Sequence, residues 1–226
     1  MFCTIDLTEN KNTPNGPHQG QPVLSAGVSL QNARAAMLMI HGRGADAQSI
    51  LALVPEIDHP GFAYLAPDAS GNTWYPYSFM APLSQNEPYL SSALQKIHEV
   101  LNDLGESGFP PEKVMLLGFS QGACLALEYT ARNARKYGGV IGLSGGLIGP
   151  AGTPRAYAGS LHGTPVFLGC SDADPFIAKE RVQETTQVLR QLGGEVAERL
   201  YENMGHTVSQ DEIRFIREMM RKLLND

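Results

Sequence analysis

The chain predicts an α/β fold: one domain whose mostly parallel sheet carries helices on both faces. Two observations lead there. Short apolar runs alternate with amphipathic helical stripes along nearly the whole length, and neither an internal repeat nor a linker divides the chain. At 226 residues, with 42% hydrophobic and only 18% charged residues, it is long enough to bury a substantial core and too apolar to remain disordered.

Residues 1–21 are expected to form a loosely held N-terminal arm, because the stretch ENKNTPNGPHQGQP is polar and rich in Asn, Gly and Pro; the domain proper is expected over 22–226. Residues 23–30 alternate as a strand does, and residues 36–41 (AMLMIH) form an apolar run that stops at Gly42-Arg43-Gly44, as buried strands do. Asp46 is placed to cap a helix through Ile50, Leu51, Leu53 and Val54, and residues 62–66 (FAYLA) read as the next strand. The irregular segment 67–88 then breaks the alternation, and its length and aromatic residues favour a binding loop. Leu90, Leu94, Ile97, Val100, Leu101 and Leu104 form a helical stripe closed by Gly105. Residues 113–117 read as a strand, 121–133 as a helix after a five-residue turn, and 140–143 as a strand. Beyond the Gly/Pro-rich connection 145–165, residues 166–169 read as a strand, 176–192 as a helix ending at Gly193-Gly194, and 195–201 as a strand. Ser209 and Glu212 have the spacing of a capping box for a last helix through Leu224.

Composition excludes several function classes. A formal charge of −6 with no basic stripe argues against nucleic acid, whose phosphates demand one. Cys3, Cys124 and Cys170 are odd in number and lack metal-ligand spacing, so neither a disulfide framework nor a metal site is expected. His98-Glu99 begins like a zinc-helix motif, but Asn102 stands where the second histidine belongs. No run approaches the ~18 apolar residues of a membrane span, and the N-terminus lacks the positive start and apolar core of a signal peptide, so a cytoplasmic protein without membrane insertion is expected.

The pattern G-x-S-x-G occurs twice, at Gly118-Phe119-Ser120-Gln121-Gly122 and at Gly142-Leu143-Ser144-Gly145-Gly146. A nucleophile elbow needs a strand before the serine and a helix after it, and only Ser120 has both; the glycines and proline that follow Ser144 oppose a helix. A serine hydroxyl needs a base to take its proton and an acid to hold that base, in the chain order Ser, Asp/Glu, His on this fold. His162 and His206 follow Ser120, and His206, between the last strand and the last helix, can reach over the serine, whereas His162 precedes a strand at the opposite sheet edge. Asp172 and Asp174 both follow the strand at 166–169, and spacing does not separate them. A competing pattern, Gly42-x-Gly44-x-x-Ala47 with Asp68 about 20 residues on, satisfies the loose dinucleotide fingerprint but leaves Ser120 and His206 without a role.

Together Leu38-Met39-Ile40-His41-Gly42-Arg43-Gly44, Gly118-Phe119-Ser120-Gln121-Gly122, Asp172-Ala173-Asp174-Pro175 and Gly205-His206 resemble the phospholipase/carboxylesterase family of α/β hydrolases, which includes the acyl-protein thioesterases. The resemblance covers roughly residues 22–224. It implies a hydrolase without a large cap domain and favours Asp174, the acid immediately before proline, over Asp172. Two positions depart from the family pattern: Arg43, where many members have Leu, and Cys170-Ser171, where they have His-Gly.

The expected catalytic set is Ser120, Asp174 and His206, with the backbone N–H groups of Gln121 and Arg43 as the oxyanion hole, no metal and no cofactor. Trp74, Tyr75, Tyr77, Phe79 and Met80 are expected to line the acyl site. The expected substrate is a carboxylic ester of a small or medium acyl group, with thioester and lysophospholipid hydrolysis as alternatives on the same residues. A dinucleotide binder and a catalytically idle ligand binder are the alternatives of another class. A homodimer is left open.

Overall fold

Apolar runs that are buried at every position, such as AAMLMI and FAYLAP, need cover on both faces, and this chain supplies it. The computed structural model describes residues 3–5 and 16–225. Among the described residues, eight strands form one sheet: β1 (Cys3–Ile5), β2 (Val23–Gly27), β3 (Ala35–Ile40), β4 (Phe62–Pro67), β5 (Val114–Phe119), β6 (Gly139–Leu143), β7 (Pro165–Ser171) and β8 (Glu195–Tyr201), in the spatial order β1-β2-β4-β3-β5-β6-β7-β8. β1 and β2 pair antiparallel, β2 joins β4 antiparallel, and every other pairing is parallel. Side chains alternate between two cores, as the period of two requires. Ala36, Leu38 and Ile40 of β3 face the layer of α3 (Tyr89–Glu106), α4 (Gln121–Arg132) and α5 (Lys179–Gln191). Ala35, Met37 and Met39 face α1 (Ala47–Leu51), α2 (Val54–Ile57) and α6 (Gln210–Asn225). None of the helices described is long and apolar enough to cross a membrane.

Several boundaries differ from the sequence expectation, each for a local reason. The helix expected through Val54 splits in two, because Pro55 has no N–H to continue α1 and instead opens α2. α3 runs one residue past Gly105 and stops before Gly108, whose φ of 89° ends the turn. α5 begins at Lys179 and not at 176: the Asp174 carboxylate accepts the N–H groups of Phe176 and Ile177 and holds them in a turn, and Ala178 is extended. The Ser209–Glu212 capping box forms with both reciprocal bonds.

The loosely held arm does not extend through 16–21. His18 is fully buried, its Nε2 donating to the Trp74 carbonyl and its Nδ1 accepting from the Ser70 N–H. Cys3–Ile5 forms the edge strand on β2, and the remainder of the expected arm, residues 6–15, lies outside the described residues.

His18 thus anchors the long 67–88 segment from one side, and His41 does so from the other. His41 Nδ1 donates to the Gly42 carbonyl, its Nε2 accepts from the Ala69 N–H, and Trp74 Nε1 donates to the His41 carbonyl. Both imidazoles use one nitrogen as donor and the other as acceptor, so both are neutral in the fold. Desolvation on burial holds the pKa of each below the ordinary value of 6.5. A base whose pKa is lowered by folding stabilises the fold above its unfolded value and less so as pH falls through it. The unfolding free energy of the wild type should therefore fall more steeply between about pH 8 and pH 5.5 than that of a His18→Gln variant. Parallel urea-unfolding curves across that range would show that His18 does not titrate on unfolding.

Candidate active site

The elbow after β5 is forced by backbone contact. A Cβ on Gly122 would stand 2.1 Å from the Ile40 carbonyl oxygen, and one on Gly118 would stand 2.2 Å from the Gly122 carbonyl oxygen. Only glycine allows α4 to pack this closely on the ends of β3 and β5. The turn between them places Ser120 at φ 55° and ψ −118°, a sparsely populated region for an L-residue. Ser144, in the second G-x-S-x-G, also has positive φ, but it is fully buried and no helix follows it.

The parallel strands bring the other candidates to the same C-terminal edge. Asp174 follows β7, and His206 lies in the loop between β8 and α6. His206 Nε2 is 2.9 Å from Ser120 Oγ, and His206 Nδ1 is 2.7 Å from Asp174 Oδ2. With Nδ1–H donating to the carboxylate, Nε2 is left to accept the serine proton. Asp174 Oδ1 accepts the N–H groups of Phe176 and Ile177 at 2.9 and 3.0 Å. Burial raises the Asp174 pKa, but the bonds from His206 and the two amides outweigh it and hold the carboxyl below its ordinary value. Asp172 does different work: it is exposed, and its Oδ1 accepts the Asn203 N–H, tying down the loop that carries His206. The Ser171 hydroxyl accepts the Gly205 N–H and secures the same loop closer to the histidine.

Gly42, two residues past the end of β3, lies directly against the serine, where an added Cβ would lie 3.4 Å from Ser120 Cβ. Arg43 comes next. The residue is exposed, yet its guanidinium is anchored: Nη1 donates to the Pro76 carbonyl at 2.8 Å and Nη2 to the Tyr77 carbonyl at 2.6 Å. The Gln121 side chain grips the same segment, accepting the Trp74 N–H and donating to the Tyr75 carbonyl. The backbone N–H of Gln121, in the first turn of α4, has no partner within the helix by construction. Asp68, the acid of the dinucleotide fingerprint, accepts the Ala47 N–H at the start of α1, which leaves that pattern without its ribose contact.

A cleft of about 500 Å³ opens over Ser120 and His206. Of the five loop residues named from the sequence, Tyr75, Tyr77 and Phe79 line the cleft, joined by Phe119, Phe176, Ile177 and Cys124. Trp74 and Met80 do not. Trp74 is fully buried, its ring tilted 33° to that of His41 at 4.9 Å, because its N–H groups are used to hold the loop to the end of β3 and to α4. Met80, 38% exposed, lies beyond the turn at Ser78 and is not part of the lining. Phe119 and Phe176 were hidden in the sequence, one as the variable residue of the elbow and one as an expected helix residue; both rings pack on His206, at 5.0 and 4.9 Å. Cys124 and Cys170 are buried, and desolvation pushes both thiols up to about 12, so neither is poised as a thiolate.

A parallel sheet of this order with a strained serine after β5 defines an α/β hydrolase. The chain belongs to the phospholipase/carboxylesterase family, whose profile it matches over residues 28–224. It is 42% identical to a phospholipase/carboxylesterase from Dyadobacter fermentans, whose crystal structure superposes with a TM-score of 0.87 over 92% of this chain and 99% of that one. It is 24% identical over 229 residues to acyl-protein thioesterase 1 of Debaryomyces hansenii, a match covering 89% of this chain and 98% of the relative. A match to acyl-protein thioesterase 1 of Gibberella zeae is 30% identical over 133 residues and spans only about half of each, 56% of this chain and 55% of the relative.

The glycine contacts supply a test of the elbow. Gly122→Ala should destabilise the fold by at least about 2 kcal/mol, since the new methyl meets backbone atoms that cannot rotate away. A midpoint of urea unfolding equal to that of the wild type would contradict the close approach.

Proposed function

We propose that this protein is a serine hydrolase that cleaves carboxylic esters of small to medium acyl groups through an acyl-enzyme. The observation that carries the proposal is the continuous chain of hydrogen bonds from Ser120 Oγ through His206 to Asp174, opening onto an apolar cleft. In the proposed reaction Ser120 Oγ attacks the ester carbonyl while His206 Nε2 takes its proton, and the imidazolium returns that proton to the leaving alcohol. Asp174 holds the imidazole in its Nδ1–H tautomer and stabilises the cation; its lowered pKa keeps it ionised for that task. Water, activated by His206, then attacks the acyl-enzyme and releases the acid. The N–H groups of Gln121 and Arg43 are assigned to the oxyanion, each contributing about 3 kcal/mol by analogy with measured donors.

Thioester cleavage fits the same residues, and two relatives bear the name acyl-protein thioesterase. The small, aromatic-lined cleft favours a compact acyl group. A cytoplasmic location belongs to the same proposal and is supported by the free thiols of Cys124 and Cys170.

Ser120→Ala should abolish both the hydrolysis of nitrophenyl esters and covalent labelling by a fluorophosphonate, while Ser144→Ala retains most of each. Asp174→Asn should lower kcat by up to ~10⁴, and Asp172→Asn much less. Persistent labelling of Ser120→Ala, or a greater loss at Asp172, would overturn these roles. For the acyl site, Phe79→Ala should shift the preferred chain length upward, whereas Trp74→Ala should principally lower the unfolding midpoint. A chain-length profile unaltered by Phe79→Ala would remove that ring from the acyl site.

A further inference from the structure

We infer that the ester substrate carries a carboxylate close to the scissile bond, and that the Arg43 guanidinium recognises it. The inference rests on the ester-hydrolase proposal and narrows its substrate class. Arg43 lines the same cleft as Ser120 and His206, and directly follows the glycine that abuts the serine. Its guanidinium offers five N–H donors. Two are occupied by the carbonyls of Pro76 and Tyr77, and the face of Tyr75 lies 5.9 Å from Cζ. These contacts orient the fork without neutralising it, because a carbonyl carries no net charge.

None of the ion pairs among the described residues includes Arg43. The carboxylates at this edge of the sheet are engaged elsewhere: Asp46 caps α1 through Ser49, Asp68 accepts from Ala47, and Asp174 holds His206. The rest of the cleft wall is aromatic, aliphatic or neutral, so its one fixed charge is positive. A neutral amide side chain could tie down a loop carbonyl. A cation held on two carbonyls, with three donors still free and no counter-ion, is prepared for an anion that arrives with the substrate. A carboxylate would complete the pair, and an uncharged ester of the same length would not, which makes Arg43 a determinant of specificity.

The experiment compares kcat/KM for matched neutral and anionic esters in wild type, Arg43→Gln and Arg43→Lys. One arm puts the charge on the acyl side, 4-nitrophenyl butyrate against mono-4-nitrophenyl glutarate; the other puts it on the leaving group, phenyl butyrate against 4-carboxyphenyl butyrate. Any loss common to both esters cancels in the anionic-to-neutral ratio. That ratio should fall about tenfold in Arg43→Gln in at least one arm, with the arm locating the anion, and Arg43→Lys should retain part of it. Raising salt to about 0.5 M should lower the wild-type ratio several-fold and leave the Arg43→Gln ratio unchanged, which a purely structural loop clamp would not produce. Ratios equal to wild type in both arms of Arg43→Gln would overturn the inference and leave the hydrolase proposal standing. A wild type inactive on all four esters would overturn both.

Discussion

The backbone contact between Gly122 and the Ile40 carbonyl governs the geometry of the whole cleft. Because α4 packs onto the ends of β3 and β5 without intervening side chains, the turn into it is tight enough to drive Ser120 to φ 55°. That strain is held by the surrounding sheet, since Ser120 N–H is bonded to the Leu143 carbonyl of β6 and Cys124 N–H to the Ser120 carbonyl. The same approach sets the end of β3, with Gly42 and Arg43, beside the serine. Ser120, the N-terminus of α4 and the glycine-rich loop are therefore positioned by one packing event, and the Arg43 side chain of that loop is turned to the 67–88 segment.

The walls of the cleft depend on buried polar groups. The 67–88 segment contains little regular structure, yet it holds its shape because the side chains of His18, His41 and Gln121 satisfy its backbone N–H and carbonyl groups one by one, while its own Trp74 indole donates to the His41 carbonyl. Each of these bonds is worth about 1 kcal/mol net, but leaving a buried partner unmet costs more, so the segment is locked in one arrangement. The neighbouring segment 147–149, behind the cleft lining, is held on the same principle. Glu128, almost fully buried, accepts from the Ile148 N–H and pairs with Arg132, while Arg181 donates to the carbonyls of Leu147 and Gly149. The Gly149 N–H then bonds the Phe79 carbonyl and joins the two segments. Charge buried in this way adds little stability over an apolar filling, but it fixes the geometry of irregular backbone.

The loop at 202–206 shows how two neighbouring carboxylates divide their work. Asp172 and Asp174 are two residues apart, in a turn where side chains point to different sides. Asp174 turns inward to His206 and is held by two amides, and Asp172 turns outward and secures Asn203. One orients the imidazole, and the other keeps the loop that bears it from drifting.

The order of strands and helices from residue 23 onward, the strand–turn–helix around Ser120 and the place of His206 before the last helix were legible in the sequence, because hydrophobic period, glycine spacing and chain order are local properties that survive without coordinates; the edge strand Cys3–Ile5 was not. The choice between Asp172 and Asp174 was not, since spacing treats them alike, and resemblance to a family supplied the preference. Trp74 read as a pocket residue because aromatics in a long loop suit a binding wall equally well; only the contact with His41, 33 positions away, shows its N–H groups committed to holding the loop. Phe176 read as the start of a helix, and became a wall of the cleft because the Asp174 carboxylate captured its N–H and delayed α5. His18 fell in a stretch whose composition reads as disordered, yet the chain folds back to bury it against Trp74 and Ser70. The sequence by itself determined the fold class and which residue types meet at the sheet edge. Tertiary structure alone decided which side chains face the cleft, because that depends on hydrogen bonds between segments far apart in the chain, whose satisfaction no local pattern encodes.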